Sequence, residues 1–198
     1  MKPSVLRLRT KLKNSKTAGT AKRLSQELEM PEVAELNHQW LYWARVSQQL
    51  PPDDHAFRNW LVLGGRGAGK TRAGAEWVRA LALGHFEPVI RRCSRIAIVA
   101  PTFDEARMVM IEGASGLLSV HHPEERPRYL PSLRRVEWAN GSIAEVFSAE
   151  EPESLRGPQF DAAWCDELAK WKKGDLAWAN LQLALRLGDV PQAVITTT

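Results

Sequence analysis

The sequence predicts an α/β fold in which a largely parallel sheet is flanked by helices. Three observations carry this. Short apolar segments of strand length, 60–63, 95–100, 162–165 and 193–198, are separated by stretches with helical spacing. The first of them runs through a glycine-rich turn into an amphipathic segment, the order of a strand–loop–helix unit. The stretches 134–139 and 142–147 alternate in polarity around Asn140-Gly141, which adds a β-hairpin, expected to close in a type I′ turn.

Residues 1–30 are read as a basic, disordered leader. Eight of the 27 bases lie within its first 23 residues and all 23 acids come later, starting at Glu27, so the other 19 bases face 23 acids and the high isoelectric point belongs to the tail. Such a tail either holds nucleic acid by neutralising phosphates or is simply solvated. A helix is expected over 32–50, where Val33, Leu36, Trp40, Trp43 and Val46 share one face, and Pro51-Pro52-Asp53-Asp54 then forms a linker. Segment 60–63 is the first strand. Residues 71–83 form a helix with Trp77, Val78 and Leu81 inward and Gly84 as its C-cap.

Segment 95–100 is the second strand and Pro101 stops it. Residues 104–111 are read as helix, 113–120 as short helix or loop, and 121–131, with three prolines, as loop. The hairpin follows, then a buried strand over 162–165, a helix over 174–187 and a last strand over 193–198. That last strand is expected at the end of the sheet with an unpaired edge. Trp77, Trp164, Trp171 and Trp178 are assigned to the core, Cys165 to a small buried site, and His121-His122 to a solvated loop rather than a metal centre. Apolar runs are too short to span a membrane, and two cysteines without ligand spacing suit a reducing, cytoplasmic setting.

The chemistry concentrates in three places. Gly64-Gly65-Arg66-Gly67-Ala68-Gly69-Lys70-Thr71 fits G-x-x-x-x-G-K-[ST], a P-loop. Its glycines let the backbone wrap a phosphate, and the next helix presents its positive end to the same anion. Lys70, expected to face solvent, would reach the β- and γ-phosphates of ATP, and the Thr71 hydroxyl would ligate Mg²⁺. Arg66 either supports charge developing at the γ-phosphate or is a surface arginine paired with an acid.

Second, the apolar segment 162–165 ends in Asp166 and Glu167. Asp166 would hold Mg²⁺ or its water, and Glu167 would orient and deprotonate the attacking water. The adjacent glutamate points to the additional-strand, catalytic-glutamate class of P-loop NTPases, with the strand 95–100 expected between the two motif strands. Third, the last strand ends in Thr196-Thr197-Thr198, a γ-phosphate sensor or else ordinary β-branched strand composition.

With these residues in place, the chain resembles the large terminase subunit, the DNA-packaging ATPase of tailed phages and gene transfer agents. The resemblance rests on the block 60–77 around the P-loop, on 99–107 with 110–113, on Ser154-Leu-Arg-Gly-Pro-Gln-Phe-Asp161 leading into Asp166-Glu167, and on Thr196 to Thr198. It implies an ATPase motor over 31–198 that drives double-stranded DNA into a shell as a homo-oligomeric ring. Portal protein and small terminase subunit would be its partners, in the cytoplasm of a bacterial cell carrying a phage or prophage-like element. It assigns Thr196 to Thr198 to a coupling segment, matches Arg66 to the family's P-loop arginine, and makes Arg156 a sensor or finger, or else an arginine bracing a turn. Arg107, Arg128, Arg134 and Arg135 are unranked candidates for an arginine acting in trans. Relatives continue into an RNase H-like nuclease, so the chain reads as C-terminally truncated, and nuclease activity does not transfer. The rival readings are another P-loop translocase or helicase, or a remnant that only binds nucleotide.

Overall fold

The computed structural model describes residues 57–84 and 93–198, together with Trp40, Ala44, Arg45 and Gln48. The basic leader, the linker and most of the expected helix over 32–50 lie outside the described residues. Within that helix Trp40 is helical, whereas Ala44 and Arg45 are not.

Among the described residues seven strands form one sheet. They are β1 (Asn59–Leu63), β2 (Arg95–Ala100), β3 (Arg128–Leu130), β4 (Arg135–Glu137), β5 (Ile143–Ser148), β6 (Ala162–Asp166) and β7 (Gln192–Thr197), in the spatial order β1-β7-β6-β2-β5-β4-β3. The first five in that order run parallel, and β4 and β3 add an antiparallel meander to β5.

This order corrects two expectations. The strand between β1 and β6, which carry the two acid and phosphate motifs, is β7, and β2 lies on the far side of β6. Nor is β7 an edge. It pairs with β1 and β6 along its length, and all six of its residues are buried. Among the described residues the edge on this side is β1, and Leu61 and Leu63 are exposed on it. An apolar, β-branched run such as Ala193-Val194-Ile195 suits a strand covered on both faces, which is a central position.

Strand alternation sorts the core into two layers. Ile96, Ile98, Ala162, Trp164 and Val194 face α1 (Lys70–Leu83), while Ala97, Val99, Ala163, Cys165, Ala193 and Ile195 face α4 (Gly174–Ala184). Asp166 and Thr196, two positions beyond Trp164 and Val194, therefore share the α1 side, as a period of two requires. Buried Glu76 on α1 is held by Arg72 at 2.6 Å and Arg79 at 3.4 Å, and Arg79 reaches on to Glu125 at 2.8 Å. Both flanking cations offset the cost of burying that carboxylate. No helix among the described residues is long and apolar enough to cross a membrane.

Several local expectations change. The helix over 104–111 begins as a short α-turn, α2 (Phe103–Glu105), capped by Thr102, and continues as a π-helix over Ala106–Ile111. Residues 113–120 contain the short helix α3 (Leu117–Val120). The proline-rich loop hides β3, whose three residues pair with β4. His121 is buried, not solvated: its Nδ1 meets the Leu117 carbonyl at 2.6 Å and its Nε2 accepts from the Trp138 indole at 2.9 Å. Helix α4 ends at Ala184, because the next residue, Leu185, leaves to bridge Phe160.

The hairpin is present, but its turn is not type I′. That turn needs positive φ at both central residues, and here only Gly141 has it. The Gly141 N–H donates to the Trp138 carbonyl and the Trp138 N–H to the Ser142 carbonyl. Asn140 is held instead by its own side chain, which donates to the Ala82 carbonyl and accepts from the Ser142 N–H.

Candidate nucleotide site

The C-terminal ends of β1, β7 and β6 lie side by side and bring the three motifs together. The P-loop leaves β1 at Gly64, whose N–H donates to the Thr197 carbonyl of β7 at 3.3 Å. Gly67 and Gly69 have φ of 74° and 79°, a left-handed geometry that side chains with a Cβ resist. Gly69 caps α1 with no side-chain bond, and the first turn of α1 holds no acid. The positive end of a 14-residue helix thus opens toward the loop. Gly64, Gly65, Arg66 and Ala68 complete its wall, and Thr71 follows half-buried in the first turn.

Lys70 is buried, which corrects the expected solvent-facing position. Its ammonium donates to Gly64 O at 2.5 Å and Gly65 O at 3.2 Å, and it reaches Thr198 Oγ1 at 3.4 Å. The physical reason is local: an ammonium carries three donors, and the curled loop turns its carbonyls toward it.

The three threonines have three different partners. Thr196, opposite Asp166 in register, lies with its Oγ1 2.6 Å from Asp166 Oδ1 and accepts from the Trp164 indole at 2.9 Å. Thr197 turns to the opposite face, where its hydroxyl accepts from the Ala169 N–H at 3.4 Å. Thr198 Oγ1 meets both carboxylate oxygens of Glu167, at 3.0 and 3.1 Å. Glu167 itself has left-handed backbone, φ 47°, and its N–H donates to the Thr196 carbonyl at 2.6 Å. Lys170 sits 3.7 Å from its carboxylate. The Trp171 indole donates to the Asp166 carbonyl at 3.0 Å and ties down the end of β6.

Asp166 is buried, and burial pushes its carboxyl above the usual aspartate range; the Thr196 hydroxyl, and more distantly the Lys70 and Lys170 ammonium groups, pull it back, while Glu167 adds to the rise. It forms no ion pair within the described residues. A buried carboxylate with one oxygen hydrogen-bonded, near a threonine hydroxyl at a P-loop, is a hard oxygen donor set of the kind Mg²⁺ takes. Burial also drives the Cys165 thiol far up, which makes it an inert packing group.

The arginines fall elsewhere. Arg66 is exposed on the loop and makes no polar contact among the described residues. Arg156 pairs with Glu153 at 2.9 Å and with Asn180 Oδ1 at 3.3 Å, bracing the turn that packs on α4. Arg107 pairs with Glu112 and Arg135 with Glu137; Arg134 pairs with Glu151 and covers the Phe103 ring, and Arg128 is exposed on β3. Gln48 was not singled out from the sequence. Its amide donates to the Ala68 and Gly69 carbonyls at 3.0 and 3.2 Å. A lone glutamine sixteen residues before the first glycine of the loop gives no pattern that would single it out.

The family model for the terminase large subunit, T4likevirus-type, N-terminal part, matches residues 61–198, well over half the chain. The chain belongs to the large terminase subunit family. Among solved structures, the Thermus phage P74-26 large terminase ATPase domain is 22% identical over 78% of this chain and 64% of its own, with a TM-score of 0.51. The large terminase of a thermophilic bacteriophage is 14% identical over 83% of this chain and 38% of its own, with a TM-score of 0.53. The same thermophilic bacteriophage protein in complex with ATP-gamma-S gives 15%, 83% and 36%, with a TM-score of 0.52. At these identities the likeness is one of fold. This terminase chain spans less than two thirds of each of those proteins. No curated protein matches it significantly.

Proposed function

We infer that this chain is the ATPase motor part of a DNA-packaging large terminase, hydrolysing ATP to move double-stranded DNA into a viral or virus-like capsid. The observation that carries the reading is the bridge from Lys70 through Thr198 to Glu167, beside the Thr196–Asp166 pair, at the mouth of a P-loop. Membership of the large terminase family supports the packaging role.

In this reading the N–H groups of the loop and the start of α1 bind the ATP phosphates. Lys70 exchanges its loop carbonyls for phosphate oxygens, a charge-assisted gain. Thr71 and Asp166 would hold Mg²⁺, which when bound supplies positive charge to the phosphates. Glu167 orients a water and takes its proton at a carboxylate oxygen. Thr198, already bonded to that carboxylate and reached by Lys70, reports the state of the phosphate end to β7, the sensor and coupling strand. Arg66, exposed on the loop, would extend a cation toward the γ-phosphate, and Arg156 remains the candidate sensor or finger only if its bond to Glu153 opens. The working form is a homo-oligomeric ring in the bacterial cytoplasm, with portal protein and small terminase subunit as partners.

The test is equilibrium binding of a fluorescent ATP analogue with and without Mg²⁺, followed by single-turnover ATP hydrolysis and a packaging assay with procapsids. Mg²⁺-dependent binding that Lys70→Ala abolishes, together with packaging that depends on turnover, supports the reading. Wild-type affinity in Lys70→Ala overturns it.

A further inference from the structure

Trp164 lies at the centre of the two motifs on β6 and β7. It is fully buried, and its indole N–H donates to Thr196 Oγ1 at 2.9 Å. An indole nitrogen only donates, whereas a hydroxyl has one proton and two lone pairs. The Trp164 bond therefore occupies a lone pair of Thr196, and the threonine proton has two acceptors left: Asp166 Oδ1 at 2.6 Å and the Cys165 carbonyl at 3.3 Å. The closer partner, Asp166 Oδ1, takes it.

The nitrogen-bearing edge of the ring also lies against α1. A Cβ at Gly74, one helical turn after Lys70, would lie 2.3 Å from both Nε1 and Cε2 of Trp164. The indole thus packs directly against the backbone of the helix that carries the P-loop, and cannot shift toward it. Packing alone does not demand this bond. Trp77, in the same core layer, buries its Nε1 with no hydrogen-bond partner among the described residues.

We propose that Trp164 is a positioning residue for Asp166: it orients the Thr196 hydroxyl so that it donates its hydrogen bond to Oδ1, and the other carboxylate oxygen is the one presented to a divalent cation. This rests on the nucleotide-site reading above. It also links the helix of the phosphate loop to the acid of the metal site through one rigid ring.

Trp164→Phe keeps an aromatic ring in the core and removes the N–H; Thr196→Val keeps the branched shape and removes the hydroxyl. The readout is the Mg²⁺ concentration that half-saturates the Mg²⁺-dependent part of ATP-analogue binding. Affinity in EDTA and circular dichroism melts are measured alongside. Partners behind a metal ligand change metal affinity by about 10–100-fold, so Trp164→Phe should raise the half-saturating Mg²⁺ roughly tenfold while affinity in EDTA stays within about twofold. The double variant should be no worse than Thr196→Val alone, because the two act in series. Unchanged Mg²⁺ dependence in Trp164→Phe, or additive losses in the double variant, overturns the proposal and leaves Trp164 as packing. If Trp164→Phe melts below the assay temperature, Thr196→Val decides alone: the same rise sustains the proposal and wild-type Mg²⁺ dependence overturns it. A wild-type chain that shows no Mg²⁺-dependent binding overturns the nucleotide-site reading itself, and the proposal with it.

Discussion

Thr198 Oγ1 lies 3.0 Å from one carboxylate oxygen of Glu167 and 3.1 Å from the other, with the Lys70 ammonium 3.4 Å away on its other side. A single hydroxyl thereby joins the lysine of the phosphate loop to the acid that the reading makes the general base. Glu167→Gln keeps the shape and a hydrogen-bonding oxygen for Thr198 but cannot accept a proton. Nucleotide affinity should hold, while single-turnover hydrolysis drops by about 10²–10⁴-fold. Hydrolysis at the wild-type rate would remove Glu167 from the role.

Lys70→Ala deletes the donor to Gly64 O and Gly65 O, but both carbonyls lie in a loop with its middle open to water. The fold should therefore lose no more than about 1.5–3 kcal/mol, the net worth of a hydrogen bond made by a charged group. ATP-analogue affinity should fall at least tenfold, since a charge-assisted phosphate contact is worth about 1.5–3 kcal/mol. Urea unfolding and analogue titration on the same preparation separate the two effects.

Much of this site was legible in the sequence because its signals are local. The loop from Gly64 to Thr71, the acids after an apolar strand and the final threonines are each set by neighbours along the chain. Strand β2 ends at Ala100 because Pro101 follows, and the hairpin pairs Arg135 with Glu145 as the alternation implies. The neighbour of β6 was not legible. Which parallel strands lie adjacent is decided by crossovers, and no local pattern marks β7 as the strand that enters between β1 and β6. The turn at Asn140-Gly141 was misread for a similar reason: a tertiary bond from Asn140 to the Ala82 carbonyl holds it. The burial of His121 likewise depends on Trp138, seventeen residues away.

Gly74→Ala should destabilise, against the usual trend. In an ordinary helix this change gains about 0.5–1 kcal/mol. Here the new methyl would lie 2.3 Å from the Trp164 ring, which is closed in on every side, and overpacking costs about 1–3 kcal/mol. Thermal melts of Gly74→Ala, alone and with Trp164→Phe, check this. The penalty should shrink in the double variant, because the smaller ring lacks the atoms that clash.

His121 should make stability pH-dependent. Burial lowers its pKa from 6.5 to about 4, with Arg79 and Arg126 adding to the fall and the Leu117 carbonyl and Glu125 opposing it. The unfolded chain then binds a proton near pH 6.5 that the folded chain refuses until about pH 4, so stability rises with pH across that window. The contribution is complete above the unfolded value and lost as pH falls toward 4, and it amounts to roughly 3 kcal/mol. Urea unfolding at a series of pH values should show this slope. His121→Gln, which can donate and accept but does not titrate, should flatten it.

Glu167 pays for its position in backbone strain. A glutamate with φ 47° and ψ 46° occupies the left-handed region that favours glycine, and its N–H is fixed there by the Thr196 carbonyl. Such residues cost about 1–3 kcal/mol and persist where the surroundings over-determine them. Glu167→Gly should relieve the strain, and Glu167→Gln should not. Both variants remove the like charge beside Asp166 and the weak pairing with Lys170, so the difference between them isolates the backbone and the Thr198 bond. That bond is solvent-exposed and worth about 1 kcal/mol or less. The expected outcome is that Glu167→Gly unfolds at higher urea than Glu167→Gln, with turnover strongly reduced in both. A glycine variant less stable than the glutamine variant would mean that the left-handed turn after β6 is the intrinsic preference of this loop. The carboxylate at 167 would then not be held at a cost for the sake of its place beside Thr198 and Lys70.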